Sequence, residues 1–266
     1  MSVKILSSNK NPELKKLRSL FQKARERKKL NLFVIEGVRE IKKAITGGYA
    51  FESVFIHEAA SNDFDPLLKP IQNVLKYIIK ADLFEKLSIR SGSEKIIAVA
   101  KNKSHDLSEL KLNDDSIILI IEAPEKPGNI GALFRTATAS KMDAVIIANP
   151  KTDFYNPNSI RSSLGTLFLL PTAIASSKEV IAFLKERKII ITTAAIHPHA
   201  MTYDQFDYTP PLAIVMGTES TGLDKLWIEE TNQNLIIPMA DEVDSLNLSV
   251  SAGILMYESQ RKNNRF

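Results

Sequence analysis

The chain has 266 residues, with 44% apolar and 25% charged side chains, which places it among ordinary globular proteins long enough for two domains. It has no cysteine, so disulfides and cysteine–zinc sites are excluded. The longest clean apolar runs, Ile117 to Ile121 among them, are too short to cross a bilayer, and MSVKILSSNK lacks the apolar stretch of a signal peptide; a cytoplasmic protein is expected. The net charge of +4 is unevenly spread. Residues 1–105 carry 21 Lys and Arg against 11 Asp and Glu, a net of +10, and residues 106–266 carry 14 against 20, a net of −6. A basic half joined to an acidic half suggests that one part faces a polyanion.

The first predicted element is a helix. Asn11 suits its cap, Pro12 its first turn and Glu13 the positive end of its dipole, while Leu14, Leu17, Phe21 and Ala24 form an apolar stripe. Lys15, Lys16, Arg18, Lys23, Arg25, Arg27, Lys28 and Lys29 occupy its other faces. A solvated face is the ordinary reading of such a run, but its density favours phosphate contact, with Lys23, Arg25, Lys28 and Lys29 as the candidates. Strands are predicted at 32–35, 53–56, 74–79 and 96–100, with helices at 38–46, stopped by Gly47-Gly48, and 82–87. Residues 106–115, within a polar and weakly patterned stretch, read as a linker between domains at 1–105 and 116–266.

The second half restarts the alternation. Strands are expected at 117–121, 144–148, 189–193, 212–216 and 234–237, and helices at 130–140, 178–187 and 247–262. Strands that are apolar throughout and separated by helices imply an α/β fold with a mainly parallel sheet covered on both faces.

No GxGxxG turn, GxxxxGK[ST] loop, GxSxG elbow or HExxH motif occurs. His197 and His199 make only two metal ligands, and a surface loop is the better reading; the acidic run Asp241 to Asp244 reads as a solvated turn, and no metal is expected.

Three segments remain. In EAPEKPGNIGALFRTATA, a strand ends, a turn follows, Asn129 sits where a helix begins and Arg135 lies six residues on. In IVMGTESTGL, an apolar strand runs into Gly217, where a ligand could lie against backbone, with Glu219 at the rim. In IIPMADEVDSLNLSVS, a strand ends at Ile237-Pro238 and a helix begins near Ser245 and Asn247, flanking Leu246. Taken singly, each is a capped helix or a tight turn.

Together, N-I-G-A-x-x-R, M-G-x-E-x-x-G-L and I-P-M followed by S-L-N-x-S-V-S-A resemble, in order and spacing, the three motifs of the SpoU (TrmH-like) branch of the SPOUT RNA 2′-O-ribose methyltransferases. Residues 1–105 are similar to the small α/β substrate-binding domain of rRNA-type members, itself related to a ribosomal large-subunit protein. Lys141 stands where many members have glycine, and Asp241 where many have a small residue. The resemblance implies a C-terminal deep trefoil knot, a homodimer, and S-adenosylmethionine held against Gly217, Ile237, Met239 and Leu246. It implies methyl transfer to a ribose 2′-hydroxyl of large-subunit (23S) rRNA, with Arg135 stabilising the developing alkoxide and Asn129, Glu219, Ser245 and Asn247 assisting. A tRNA ribose methyltransferase and a non-catalytic RNA-binding protein of ribosome assembly stay as alternatives. The first does not need residues 1–105, and the second needs none of the three motifs. A small-molecule methyltransferase leaves the basic half unexplained.

Overall fold

The computed structural model describes residues 3–71, 74–87, 94–195, 197–218 and 222–266. The fold divides into two compact units, residues 1–103 with 155–169 and residues 104–154 with 170–266. Segment 155–169, which sequence alone assigns to the second half, therefore belongs to the first unit.

The first unit runs β1 (Val3–Leu6), α1 (Pro12–Gln22), α2 (Ala24–Leu30), β2 (Leu32–Glu36), α3 (Val38–Thr46), β3 (Phe51–His57), α4 (Asp65–Leu68), β4 (Leu75–Ile79), α5 (Ala81–Glu85) and β5 (Ile96–Lys101). The sheet order is β1-β4-β3-β5-β2. β4 pairs parallel with β1 and β3, and β5 pairs antiparallel with β3 and β2. β1 escapes the sequence pattern because it is a four-residue edge strand with Val3 and Ile5 exposed.

Asn11 caps α1 by accepting from the Glu13 N–H at 2.9 Å. The helix does not run on through the basic segment. Lys23 is extended (φ −122°, ψ 110°), so α2 starts afresh, and Ala24 leaves the apolar stripe for solvent. Leu14, Leu17 and Leu20 make the buried face instead. Arg27 corrects the expectation of a uniformly solvated basic face: it is only 3% exposed. Its guanidinium donates to the carbonyl oxygens of Leu20 (2.6 Å) and Phe21 (3.2 Å), capping the last turn of α1, where carbonyls lack helical partners.

The second unit opens with β6 (Ile117–Glu122), α6 (Pro127–Ala139) and β7 (Ala144–Ala148). The chain then supplies α7 (Pro157–Ser162) to the first unit. There Tyr155 stacks on Phe33 (4.1 Å between centroids), and Phe168 packs edge-on against Tyr49 (4.9 Å). Gly47 permits this approach: a Cβ on it would lie 2.1 Å from the Phe168 carbonyl oxygen. The second unit resumes with β8 (Thr172–Ala175), α8 (Ser177–Glu186), β9 (Ile190–Ala194), β10 (Met201–Thr202), β11 (Leu212–Met216), α9 (Lys225–Glu230), β12 (Gln233–Ile236) and α10 (Leu248–Lys262). Its seven strands are all parallel, in the order β10-β12-β9-β11-β6-β7-β8.

β6, β7 and β11 are buried along their whole length, as strands covered on both faces must be. Ile118, Ile120, Ile146, Ala213 and Val215 share one core with Val180, Phe183 and Leu184 of α8 and Trp227 of α9. α10 packs on α6 and β11. Register levels the strand ends: Met216 pairs with Ile121 on one side and Ala194 on the other, and Leu235 pairs with Ala194. Among the described residues no helix is long and apolar enough to cross a membrane.

Candidate cofactor site

The carboxyl ends of β9, β11 and β12 open into a cavity of about 680 Å³. Ala194 and Ala195 line it after β9, Met216 and Gly217 after β11, and Ile236 and Ile237 after β12. Met239, Ser245, Leu246 and Asn247 close it before α10. Sequence positions 217 and 237–247, read as two separate turns, thus meet around one space. Crevices outside the carboxyl ends of parallel strands are where such sheets hold ligands, and this volume is typical of a small-molecule site.

The lining is apolar below and polar at the mouth. Met216 is buried, while Ile237, Met239 and Leu246 are half-buried; Asp244, Ser245 and Asn247 are exposed. Asn247, not Ser245, is the cap of α10: its side chain accepts from the Ser249 N–H at 2.9 Å. Gly217 has a reason of its own to be glycine. Thr218 and Gly222 exchange two backbone hydrogen bonds (3.0 and 3.2 Å), which bring Gly222 back against the strand end. A Cβ on Gly217 would lie 2.5 Å from the Gly222 carbonyl carbon. Glu219 falls outside the described residues.

The first motif segment stands apart. α6 starts at Pro127, three residues before the predicted boundary, so Asn129 lies inside its first turn rather than at its cap. Ile130, Leu133, Phe134 and Ala137 of α6 are buried, and Arg135 projects on the exposed side. Arg135 has no hydrogen-bond or ion-pair partner among the described residues, and neither it nor Asn129 lines the cavity. Lys23, Arg25, Lys28 and Lys29 are all exposed around α2 in the first unit.

Sequence reasoning missed a second cleft, of about 900 Å³, beyond the ends of β6, β7 and β8. It is lined by Glu122, Asn149 and Ser176 and shares Thr218, Gly222 and Leu223 with the first, so these three residues stand between the two. Its only sequence signal was the charged residue closing an otherwise apolar strand, Glu122. The rings of His197 and His199 lie 5.7 Å apart, and no group of three or more metal-capable side chains occurs among the described residues.

An all-parallel sheet with a cavity at its level carboxyl ends defines an α/β protein whose crevice lies where such folds hold ligands. Residues 116–257 match the SpoU rRNA Methylase family, and residues 11–98 match an MRM3-like substrate binding domain. The chain belongs to the SpoU rRNA methylase family. It is 29% identical over 255 residues to the 23S rRNA (guanosine(2553)-2′-O)-methyltransferase RlmP of Bacillus subtilis, covering 96% of this chain and 98% of that one. A solved RNA 2′-O ribose methyltransferase superposes with a TM-score of 0.82 at 34% identity, covering 98% of this chain and all (100%) of the other. The SpoU methyltransferase AviRb from Streptomyces viridochromogenes, in complex with AdoMet, gives a TM-score of 0.86 at 26% identity over 96% of this chain and 100% of its own.

Proposed function

We propose that this chain is an S-adenosylmethionine-dependent methyltransferase acting on the 2′-hydroxyl of a ribose in 23S rRNA, with the 680 Å³ cavity as its cofactor site. One observation carries the reading: the second and third motif segments, about 20 residues apart in sequence, wall the same cavity at the ends of β11 and β12 in a chain of this family.

The residues fit the cofactor. Ile237, Met239 and Leu246 offer apolar surface to a flat aromatic base, and the strand-end backbone at Met216-Gly217 and Ile236-Ile237 offers hydrogen-bonding edges. Thr218, Ser245 and Ser251 supply hydroxyls for a ribose, and Asp244 supplies a negative charge at the mouth. When bound, the cofactor supplies a methyl group already activated by a sulfonium charge.

What the protein must supply is a better nucleophile, because a neutral hydroxyl attacks poorly. It must hold the ribose oxygen in line and stabilise the alkoxide character that develops on it. Arg135 takes that electrostatic role; a guanidinium is too weak an acid to serve as the base, so the proton leaves to water or a phosphate oxygen. Because Arg135 lies on α6 and away from its own cavity, the reading requires a homodimer in which Arg135 of the partner subunit reaches the ribose. Val250 and Tyr257, 51% and 45% exposed and seven residues apart on α10, form an apolar stripe fit for that second copy. Asn129 and Asn247 orient the arginine or the ribose, Glu219 pairs with the arginine or a substrate hydroxyl, and Ser245 shapes the pocket. Lys23, Arg25, Lys28 and Lys29 contact RNA phosphates. The enzyme works in the cytoplasm, where its substrate is assembled.

The test is incubation of purified protein with methyl-labelled S-adenosylmethionine and either large-subunit rRNA or tRNA, followed by alkaline hydrolysis. A 2′-O-methyl blocks cleavage, so label is expected in alkali-resistant dinucleotides from rRNA. Label in tRNA alone overturns the substrate, and label in neither overturns the activity. In parallel, Leu246→Arg places a bulky charge in the cavity and should abolish cofactor binding in titration calorimetry.

A further inference from the structure

Glu122 ends β6, the strand between β11 and β7, and is only 4% exposed. Its carboxylate makes no ion pair among the described residues and is held by neutral donors from two helices and a loop. The indole N–H of Trp227 on α9 donates to Oε2 at 2.8 Å. The hydroxyl of Ser177, first residue of α8, donates to the same oxygen at 2.5 Å. The amide of Asn149, just past β7, donates to Oε1 at 3.2 Å. Burying a carboxylate is costly unless its acceptors are filled, and bonds to a charged acceptor are about twice as strong as neutral ones. A glutamine here would turn an N–H group toward donors.

Trp227 is the important partner. α9 begins just after Leu223, which lines both cavities, and Ile228, the residue after Trp227, lines the 680 Å³ cavity together with Leu223. Holding the indole therefore holds the wall that Leu223 and Ile228 form. Thr218 and Gly222 are already fixed by their backbone pair.

We propose that Glu122 is a positioning residue for the cofactor cavity, setting through the Trp227 N–H the wall formed by Leu223 and Ile228. This rests on the reading of that cavity as the S-adenosylmethionine site. The residue touches neither cofactor nor ribose in this scheme; it determines how well the cavity is preformed, and so acts on binding rather than on the chemical step.

The chain contains a single tryptophan, so Trp227 reports on its own surroundings. Three full-length variants form the test: Trp227→Phe removes the N–H and keeps a ring in the core, Glu122→Gln keeps the volume, and Ser177→Ala removes a second donor. Titration calorimetry with S-adenosylmethionine and with S-adenosylhomocysteine, together with steady-state kinetics, reads the outcome. In Trp227→Phe and Glu122→Gln the dissociation constant and the KM for S-adenosylmethionine should rise about tenfold, the equivalent of one hydrogen bond to a charged group. The kcat at saturating cofactor should stay near the native value. In the native protein the cofactor should shift the Trp227 emission, and Glu122→Gln should flatten that shift. A folded Trp227→Phe protein with native affinity, or a loss of kcat at unchanged KM, overturns the proposal. Should either core variant fail to fold, Ser177→Ala must show the same rise in KM in smaller measure, and a native KM there overturns it equally. Leu246→Arg separates the two levels of inference: if it binds S-adenosylmethionine as the native protein does, the cavity assignment fails irrespective of Glu122.

Discussion

The first unit carries a dense run of exposed cations around α2, beside a mixed five-stranded sheet, whereas the second carries its cavity at the level ends of seven parallel strands. The two kinds of site place different demands on the chain. Exposed lysines and arginines meet phosphates through long side chains, and their effect is additive and tolerant of position. The cavity exists only because β9, β11 and β12 stop at one height, and because Gly222 can pack against Gly217 without a side chain in its way. Substitutions in the first unit should therefore tune affinity for RNA, and those in the second should act on chemistry or cofactor binding.

The largest expected effect is that of Arg135→Ala, which should lower single-turnover methyl transfer about 10²–10³-fold, the scale of losing one donor to a developing oxyanion. Cofactor affinity, measured by calorimetry, should hardly move, because Arg135 lines no part of its own cavity. Native turnover would remove the arginine from the mechanism. Next comes Gly47→Ala in the first unit. Its Cβ would lie 2.1 Å from the Phe168 carbonyl oxygen, so thermal denaturation should show a loss of about 3 kcal/mol as segment 155–169 is forced off α3. An unchanged melting temperature would show that this packing is dispensable.

Two further substitutions sharpen the comparison inside the basic run itself. Arg27→Met should destabilise the fold by about 2 kcal/mol in denaturant titration, because the terminal carbonyls of α1 lose their donor. It should leave the salt dependence of RNA binding as it was. Replacing Lys23, Arg25, Lys28 and Lys29 with glutamine should do the reverse. Stability stays, RNA binding weakens, and the slope of log K against log salt flattens by roughly 0.7–0.9 for each phosphate that is no longer neutralised. If the slope is unchanged, the RNA surface lies elsewhere.

Much of the secondary structure was legible because the apolar periods are clean. α3, β7 and β11 begin and end where the pattern says, and a strand buried on both faces produces the run 117–121. Helix starts were less legible: Pro127 opens α6 before any apolar residue announces it. Lys141 shows a constraint that is visible only in the backbone. It takes φ 57°, the left-handed region that glycine enters freely, while its ammonium donates to the Arg265 carbonyl oxygen at 2.9 Å.

The amino-acid order by itself determined the α/β class, the basic first half, the three motif segments and the capping of α1, because each depends on neighbours within a few residues. Tertiary structure alone decided which of these met. It brought Gly217 to Ile237 and Leu246 through strand register, left Arg135 outside the cavity they form, and drew Arg27 out of the basic face into a cap. It also moved 155–169 into the first unit and placed a buried glutamate against the only tryptophan. Each of those meetings joins positions far apart in sequence or depends on where the backbone turns. The side-chain pattern along one segment carries no record of what the fold packs against it.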